Sequence, residues 1–184
     1  MSNRKKTIVL VGLMGAGKSS VGWRLAKRLE MDFHDIDRVI EEREGLSISE
    51  IFEYRGEEYF RKVEKDIIRE FLEGEPCVLA PGGGAFMNQT TRRLIKKRGV
   101  SIWLNAPFEV LLERVSRKRT RPLLEKGDKA EILRQLYEER SPVYAKADIV
   151  VDSDDGPHHR VVSKMLDALG KPYIRPKTRK QQDG

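Results

Sequence analysis

The stretch Gly12-Leu13-Met14-Gly15-Ala16-Gly17-Lys18-Ser19 decides how this chain is read. It satisfies every specified position of G-x-x-x-x-G-K-[ST], the pattern of a loop that wraps phosphates. Its surroundings agree. Thr7 to Val11 (T-I-V-L-V) is a β-branched run of strand length, and Val21, Leu25, Ala26 and Leu29 recur at helical spacing. The loop is therefore expected to join a buried strand to a helix. There, glycines let backbone N–H groups curl round a phosphate, and the helix N-terminus adds positive potential. Lys18 would reach the β/γ oxygens as a point charge, and the Ser19 hydroxyl would ligate Mg2+.

Outward from this loop, the bulk properties set bounds. The chain has 184 residues, of which 39% are hydrophobic and 35% charged. That suits one soluble domain with a full core and room for a small mobile insertion. No apolar run approaches the roughly 20 residues needed to span a bilayer. The opening Met1-Ser2-Asn3-Arg4-Lys5-Lys6 does not read as a secretion signal, so the cytoplasm is the expected location. The single Cys77 excludes an internal disulfide and lies in an apolar run, as a core residue would. The net charge of +7 fits a partner that is a phosphate or another anion, and fits nucleic acid as well. Part of it is local: from 171 to 184, five basic residues face Asp183 alone, in a tail without hydrophobic periodicity that is expected to fray.

Along the chain, Phe33-His34-Asp35-Ile36-Asp37 ends in two carboxylates at i and i+2. On a strand both would point to one side, at the strand end where open α/β sheets bind ligands. Asp37 also precedes a helical run, so a helix-capping role stays open beside a catalytic one. Ser47 and Glu50 form a capping-box pattern for a short helix. From Gly56 a longer helix carries an apolar face through Phe60, Val63, Ile67 and Ile68, with Arg61 and Glu64 as an i, i+3 pair. Cys77 to Ala80 reads as a buried strand running into Pro81-Gly82-Gly83-Gly84, three glycines suited to close backbone approach to a ligand. A helix around Thr90 to Lys97, a strand from Gly99 to Leu104 and a helix from Pro107 to Val115 follow. Arg114, Arg117, Lys118, Arg119 and Arg121 then form a basic segment able to supply cations as a site closes. On the next helix, about Asp128 to Arg140, Arg140 shares the stripe of Leu133, Leu136 and Tyr137, so it needs an anionic partner or a cleft. Ser141-Pro142 is expected to stop that helix. Ala147 to Asp152 is a fifth strand, and a helix striped by Val161, Val162, Met165 and Leu169 closes the series. Five strands alternating with helices predict an α/β fold, a parallel sheet covered on both faces.

Taken together, G-L-M-G-A-G-K-S, D-I-D, G-E-E-Y-F-R-K-V-E, G-G-G, and R-P-L-L followed by E-E-R-S-P-V-Y resemble the shikimate kinase family, from about Thr7 to Leu169. The resemblance implies a three-layer P-loop kinase with a five-stranded parallel sheet of order 2-3-1-4-5. It implies one domain over 1–170 with a small mobile lid at about 114–126. The implied activity is transfer of the ATP γ-phosphoryl group to the 3-hydroxyl of shikimate with Mg2+, in aromatic amino acid biosynthesis. By the same resemblance, Gly15, Ala16, Gly17, Lys18, Ser19, Ser20 and Arg121 would bind ATP. Asp37, Arg61, Gly82, Gly83, Gly84 and Arg140 would bind shikimate, and Ser19 and Asp35 would serve the metal. Lys18, Asp37 and Arg121 would carry catalysis. Glu64 would hold Arg61 in place, and Phe52 and Phe60 would wall the ring. Adenine-side contacts align with Arg117 and the region near Pro157. The chain departs from the family in placing Ala80-Pro81 where a Ser or Thr usually precedes the glycines, and Ser20 for a threonine.

Shikimate and ATP are the expected partners of a monomer that engages neither nucleic acid nor membrane. Rival readings are a P-loop kinase for gluconate or a nucleoside monophosphate, a basic nucleic-acid binder without an evident recognition helix, and an inactive P-loop scaffold. The feature that discriminates among the kinases is the carboxylate clamp, Arg61 with Arg140 beside Asp37, and a panel of acceptors in an ATP-consumption assay decides between them.

Overall fold

The computed structural model describes residues 5–117, 127–170 and 173. At its centre is strand β1 (Thr7–Val11), every residue of which is buried. A continuous apolar strand of this kind can only sit in a sheet covered on both faces. It pairs in parallel with β3 (Val78–Ala80) on one side and β4 (Gly99–Asn105) on the other. β2 (Phe33–Asp35) and β5 (Ile149–Asp152) form the edges, giving the order β2-β3-β1-β4-β5. This is the order the family resemblance implies.

Among the described residues, seven α-helices connect and cover the strands. They are α1 (Lys18–Leu29), α2 (Ile36–Glu44), α3 (Ile48–Glu73), α4 (Gln89–Arg98), α5 (Phe108–Ser116), α6 (Lys129–Tyr144) and α7 (His158–Leu169). Because every strand is parallel, all strand C-termini open on one edge of the sheet. The loops after β2, β3 and β1 lie side by side there, which places Asp35, the glycine turn and the phosphate loop next to one another. No described helix is long and apolar enough to cross a membrane.

Three boundaries differ from the sequence-based expectation. The two helices expected on either side of Gly56 run as one element, α3, broken where Gly56 takes φ 83° and ψ 168°. Its start is as predicted: Ser47 accepts from the Glu50 N–H and Glu50 accepts from the Ser47 N–H. Helix α6 passes through Pro142 to Tyr144 instead of stopping at Ser141. A proline in the last turn removes one helical donor, and the Ala145 N–H still reaches the Ser141 carbonyl while Tyr144 anchors the end in the core. Tyr173, in the tail expected to fray, is buried, and its hydroxyl both accepts from the Lys6 N–H and donates to the Lys6 carbonyl. The rest of 171–184 lies outside the described residues, as do 118–126 of the expected lid.

Two contacts hold the framework in register. Ser101 donates its N–H and hydroxyl to Asp148 at 2.9 Å each, tying β4 to the chain entering β5. Cys77 is a buried core thiol, pushed up to about 11 by burial. Helix α1 approaches the sheet at Gly22, where a Cβ would stand 2.7 Å from the Phe33 ring and 2.9 Å from Leu10 Cδ1. Gly22→Ala is therefore expected to lower stability by about 1–2 kcal/mol in urea unfolding, although alanine is the better helix former by about 1 kcal/mol. A stabilised variant would show that α1 does not depend on this contact.

Candidate active site

The phosphate loop occupies the turn between β1 and α1. Gly15 and Gly17 take φ of 85° and 91°, a region open to glycine with little strain, and Gly17 caps α1 through its backbone. Lys18 donates to the Gly12 carbonyl at 2.7 Å and the Leu13 carbonyl at 3.1 Å. The loop thus holds its lysine above its own backbone. Ala16 alone among the described nucleotide contacts turns inward: it is buried, and its N–H donates to the Leu13 carbonyl at 3.1 Å. Arg114, from α5, donates to the carbonyls of Gly15 and Ala16 and, with its other nitrogen, to Asp154 before α7. Sequence reading placed Arg114 in a basic segment able to supply cations as a site closes. The signal was there: it falls on the helix beside Leu111 and Val115, both buried.

At the end of β2 the two carboxylates divide their work differently from the strand reading. Asp35 ends the strand and caps α2, accepting from the Asp37 N–H at 3.1 Å. Asp37 lies in the first turn of α2, so the cap falls to Asp35 and the two are not a same-side strand pair. Asp35 Oδ2 also accepts from the Ser19 hydroxyl at 2.5 Å. The phosphate loop and the second strand therefore meet at one oxygen cluster.

The turn 82–84 explains its own composition. A Cβ on Gly82 would stand 2.9 Å from Glu64 Oε2 and 3.4 Å from Asp37 Oδ1. On Gly83 it would meet Arg140 Nη1 at 3.1 Å, the Gly12 carbonyl at 3.2 Å and the Tyr144 hydroxyl at 3.2 Å. On Gly84 it would collide with the Arg61 guanidinium. Each glycine thus leaves room for polar site groups that come from α2, α3, α6 or the phosphate loop. Arg61 is held by Glu64 at 2.9 Å and Glu57 at 3.4 Å, with its guanidinium 5.2 Å from the centre of the Phe60 ring. Phe60 packs on Phe52 with ring centres 4.9 Å apart.

Nearly all the expected side chains line one cavity of about 840 Å3: Gly15, Gly17, Lys18, Ser19, Ser20, Asp35, Asp37, Arg61, Gly82, Gly83, Gly84 and Arg140. Arg117 lines it as well, while Arg121 lies outside the described residues. Arg38, Glu41, Ser49 and His158 join the lining without a motif to announce them. Six cations and three carboxylates share the lining, so the cavity favours anions. His158 is held below the usual histidine range by burial, with Arg24 and Arg114 acting in the same direction.

Glu64 is the most perturbed group of the site. It is 2% exposed, and burial pushes its carboxyl up to about 7, with Arg61 pulling the other way and the Asp37 charge adding to the rise. A carboxyl raised in the folded state stabilises most below its unfolded value and loses that contribution as pH rises to about 7. Relative to Glu64→Gln, the protein should therefore lose up to about 3 kcal/mol of stability between pH 4.5 and 8. Thermal unfolding across that range checks this, and a difference constant with pH would show Glu64 ionised throughout.

With the geometry in place, comparison with known proteins is direct. The family model described as shikimate kinase matches residues 14–170. A shikimate kinase of Cereibacter sphaeroides is 47% identical over 169 residues, covering 92% of this chain and 85% of that protein. One of Paramagnetospirillum magneticum is 51% identical over 164 residues, covering 89% and 84%. A shikimate kinase from Acinetobacter baumannii, solved in complex with shikimate, superposes with a TM-score of 0.87 at 36% identity, covering 91% of this chain and 94% of that one. A match of this extent, on a sheet of order β2-β3-β1-β4-β5, leaves one assignment: the chain belongs to the shikimate kinase family.

Proposed function

We propose that this protein phosphorylates the 3-hydroxyl of shikimate at the expense of ATP, as a monomeric cytoplasmic enzyme of aromatic amino acid biosynthesis, with 114–126 as its lid. One observation carries the reading. The phosphate loop and a pair of arginines suited to a carboxylate face the same cavity, with Asp37 on its wall.

In this reading Arg61 and Arg140 grip the substrate carboxylate, Arg61 steered by Glu64 and Glu57. Phe52 and Phe60 cover an apolar side of the ring. Asp37 accepts the 3-hydroxyl proton as that oxygen attacks the γ-phosphorus. The new O–P bond forms as the bond to the β,γ-bridging oxygen breaks, leaving ADP and shikimate 3-phosphate. The protein contributes mainly by positioning the reactants and neutralising the charge spread over the transferring group. Lys18 and the N–H groups at the start of α1 meet the phosphates, and Arg121 would join them from the lid.

Mg2+ fits the residues present. Ser19 and Asp35 offer two hard oxygens in mutual contact beside Lys18 and would hold the ion, which commonly takes only one or two protein oxygens. Among the described residues no three His, Cys, Asp or Glu side chains form a metal cage, and such a cage is not what this ion requires. Ala80 and Pro81 line the same cavity and bring no side-chain oxygen, so Ser19 and Asp35 would carry the protein's share of coordination. When bound, the ion would supply charge neutralisation at the phosphates.

ATP consumption measured with shikimate, quinate, gluconate and nucleoside monophosphates tests the assignment: turnover should require shikimate, and equal rates with another acceptor would overturn it. Arg61→Ala should raise the KM for shikimate about 10- to 100-fold while leaving that for ATP within about twofold. Equal losses for both substrates would remove Arg61 from the carboxylate. Lys18→Met should lower kcat by at least about 10²-fold with an unchanged circular dichroism spectrum. Normal turnover by that variant would overturn the phosphate-loop role.

A further inference from the structure

Tyr144 ends the E-E-R-S-P-V-Y stretch without a role of its own in the readings above, yet it touches the glycine turn and lies beside Arg140. It closes α6 four residues after Arg140, so the two side chains share one face of the helix. Its side chain is 1% exposed, and its hydroxyl donates to the Gly83 carbonyl at 2.5 Å. Arg140 Nη1 and the Tyr144 hydroxyl flank one point, 3.1 and 3.2 Å from where a Cβ on Gly83 would stand. Trp103, at the end of β4 beside the phosphate loop, packs on the phenol ring with centroids 5.9 Å apart. The ring therefore has little freedom, and its one polar atom binds the glycine turn next to the arginine.

That connection has a stereochemical consequence. A trans peptide is planar, and its C=O and N–H point in opposite directions. With the Gly83 carbonyl drawn inward by Tyr144, the Gly84 N–H of the same peptide is turned the other way. The Gly82 carbonyl accepts from Ala85 at 3.1 Å, which similarly sets the peptide carrying the Gly83 N–H. The turn is thus held in one of the two orientations its glycines would otherwise permit. The phenol's single proton is committed to Gly83, so toward Arg140 the oxygen can only accept. A phenol oxygen accepting from Arg140 Nη1 would engage one edge of the guanidinium and leave the other for an anion. Burial pushes the phenol up to about 12, so it remains a donor throughout the physiological range.

We propose that Tyr144 is a positioning residue for acceptor recognition, its hydroxyl setting the orientation of both Arg140 and the Gly83–Gly84 peptide toward the substrate carboxylate. This rests on the shikimate kinase reading above. The hydrogen bond that Tyr144 donates goes to the glycine turn on the acceptor side, at Gly83.

The test is Tyr144→Phe, which removes one oxygen and keeps the ring. The KM for shikimate should rise about tenfold, with kcat within about threefold and the KM for ATP within about twofold. With methyl shikimate, whose ester lacks the negative charge, wild type and variant should have the same KM. In an Arg140→Lys background the same substitution should add little, because both changes act on one contact. An unchanged KM for shikimate would overturn the proposal. So would equal losses for shikimate and its ester, additivity with Arg140→Lys, or a variant that fails to fold, each of which would give Tyr144 a purely structural role. Failure of the unmodified protein to phosphorylate shikimate would instead overturn the kinase reading, and this inference with it.

Discussion

The site depends on a close approach that only a turn without side chains can allow. Residues 82–84 follow β3, next to the central strand, so their backbone lies between the phosphate loop and the helices that carry the arginines. Glu64, Arg140 with Tyr144, and Arg61 each occupy the space that one Cβ of this turn would take. The cost of three glycines is conformational entropy in the unfolded chain. What it permits is contact between groups from α3 and α6, which are far apart in sequence.

That contact gathers charge in a partly buried place, and the charges are balanced accordingly. Arg61 is shared between a buried and an exposed carboxylate, Glu64 and Glu57. Arg140, 8% exposed, has the Tyr144 hydroxyl beside it and Glu64 within electrostatic reach. A buried arginine without such neighbours would cost several kcal/mol. The cavity still carries more cations than carboxylates, which suits a substrate pair that is wholly anionic. On the nucleotide side the same economy appears in the backbone. Lys18 and Arg114 are both seated on carbonyls of the phosphate loop, so the loop is shaped by the cations that flank it.

Much of this was legible in the residues. The phosphate loop, the strand before it and the helix after it follow from local pattern, and the structure has them at Thr7–Val11 and Lys18–Leu29. The arginine on the apolar stripe of α6 was visible as an anomaly, and it does reach the cavity. Other features were misread because the deciding contact is not local. Asp35 and Asp37 are two apart, which suggests one face of a strand, but the strand ends at Asp35 and its side chain caps the helix that Asp37 has already entered. Pro142 signals a helix end, yet burial of Tyr144 carries α6 past it. Arg114 looked like one cation in a run, and only its place beside Leu111 and Val115 sets it apart.

The sequence by itself determined the alternation of strands and helices, the phosphate loop and the identity of the charged groups, because hydrophobic period and glycine spacing are properties of neighbouring residues. Tertiary structure decided which of those groups meet. The parallel crossovers put the ends of β2, β3 and β1 side by side, and only then do Asp35 and Ser19, or Gly83 and Tyr144, come within hydrogen-bonding distance. Separations of 16 and 61 residues leave no periodic trace along the chain, so contacts of this kind exist only once the sheet is assembled.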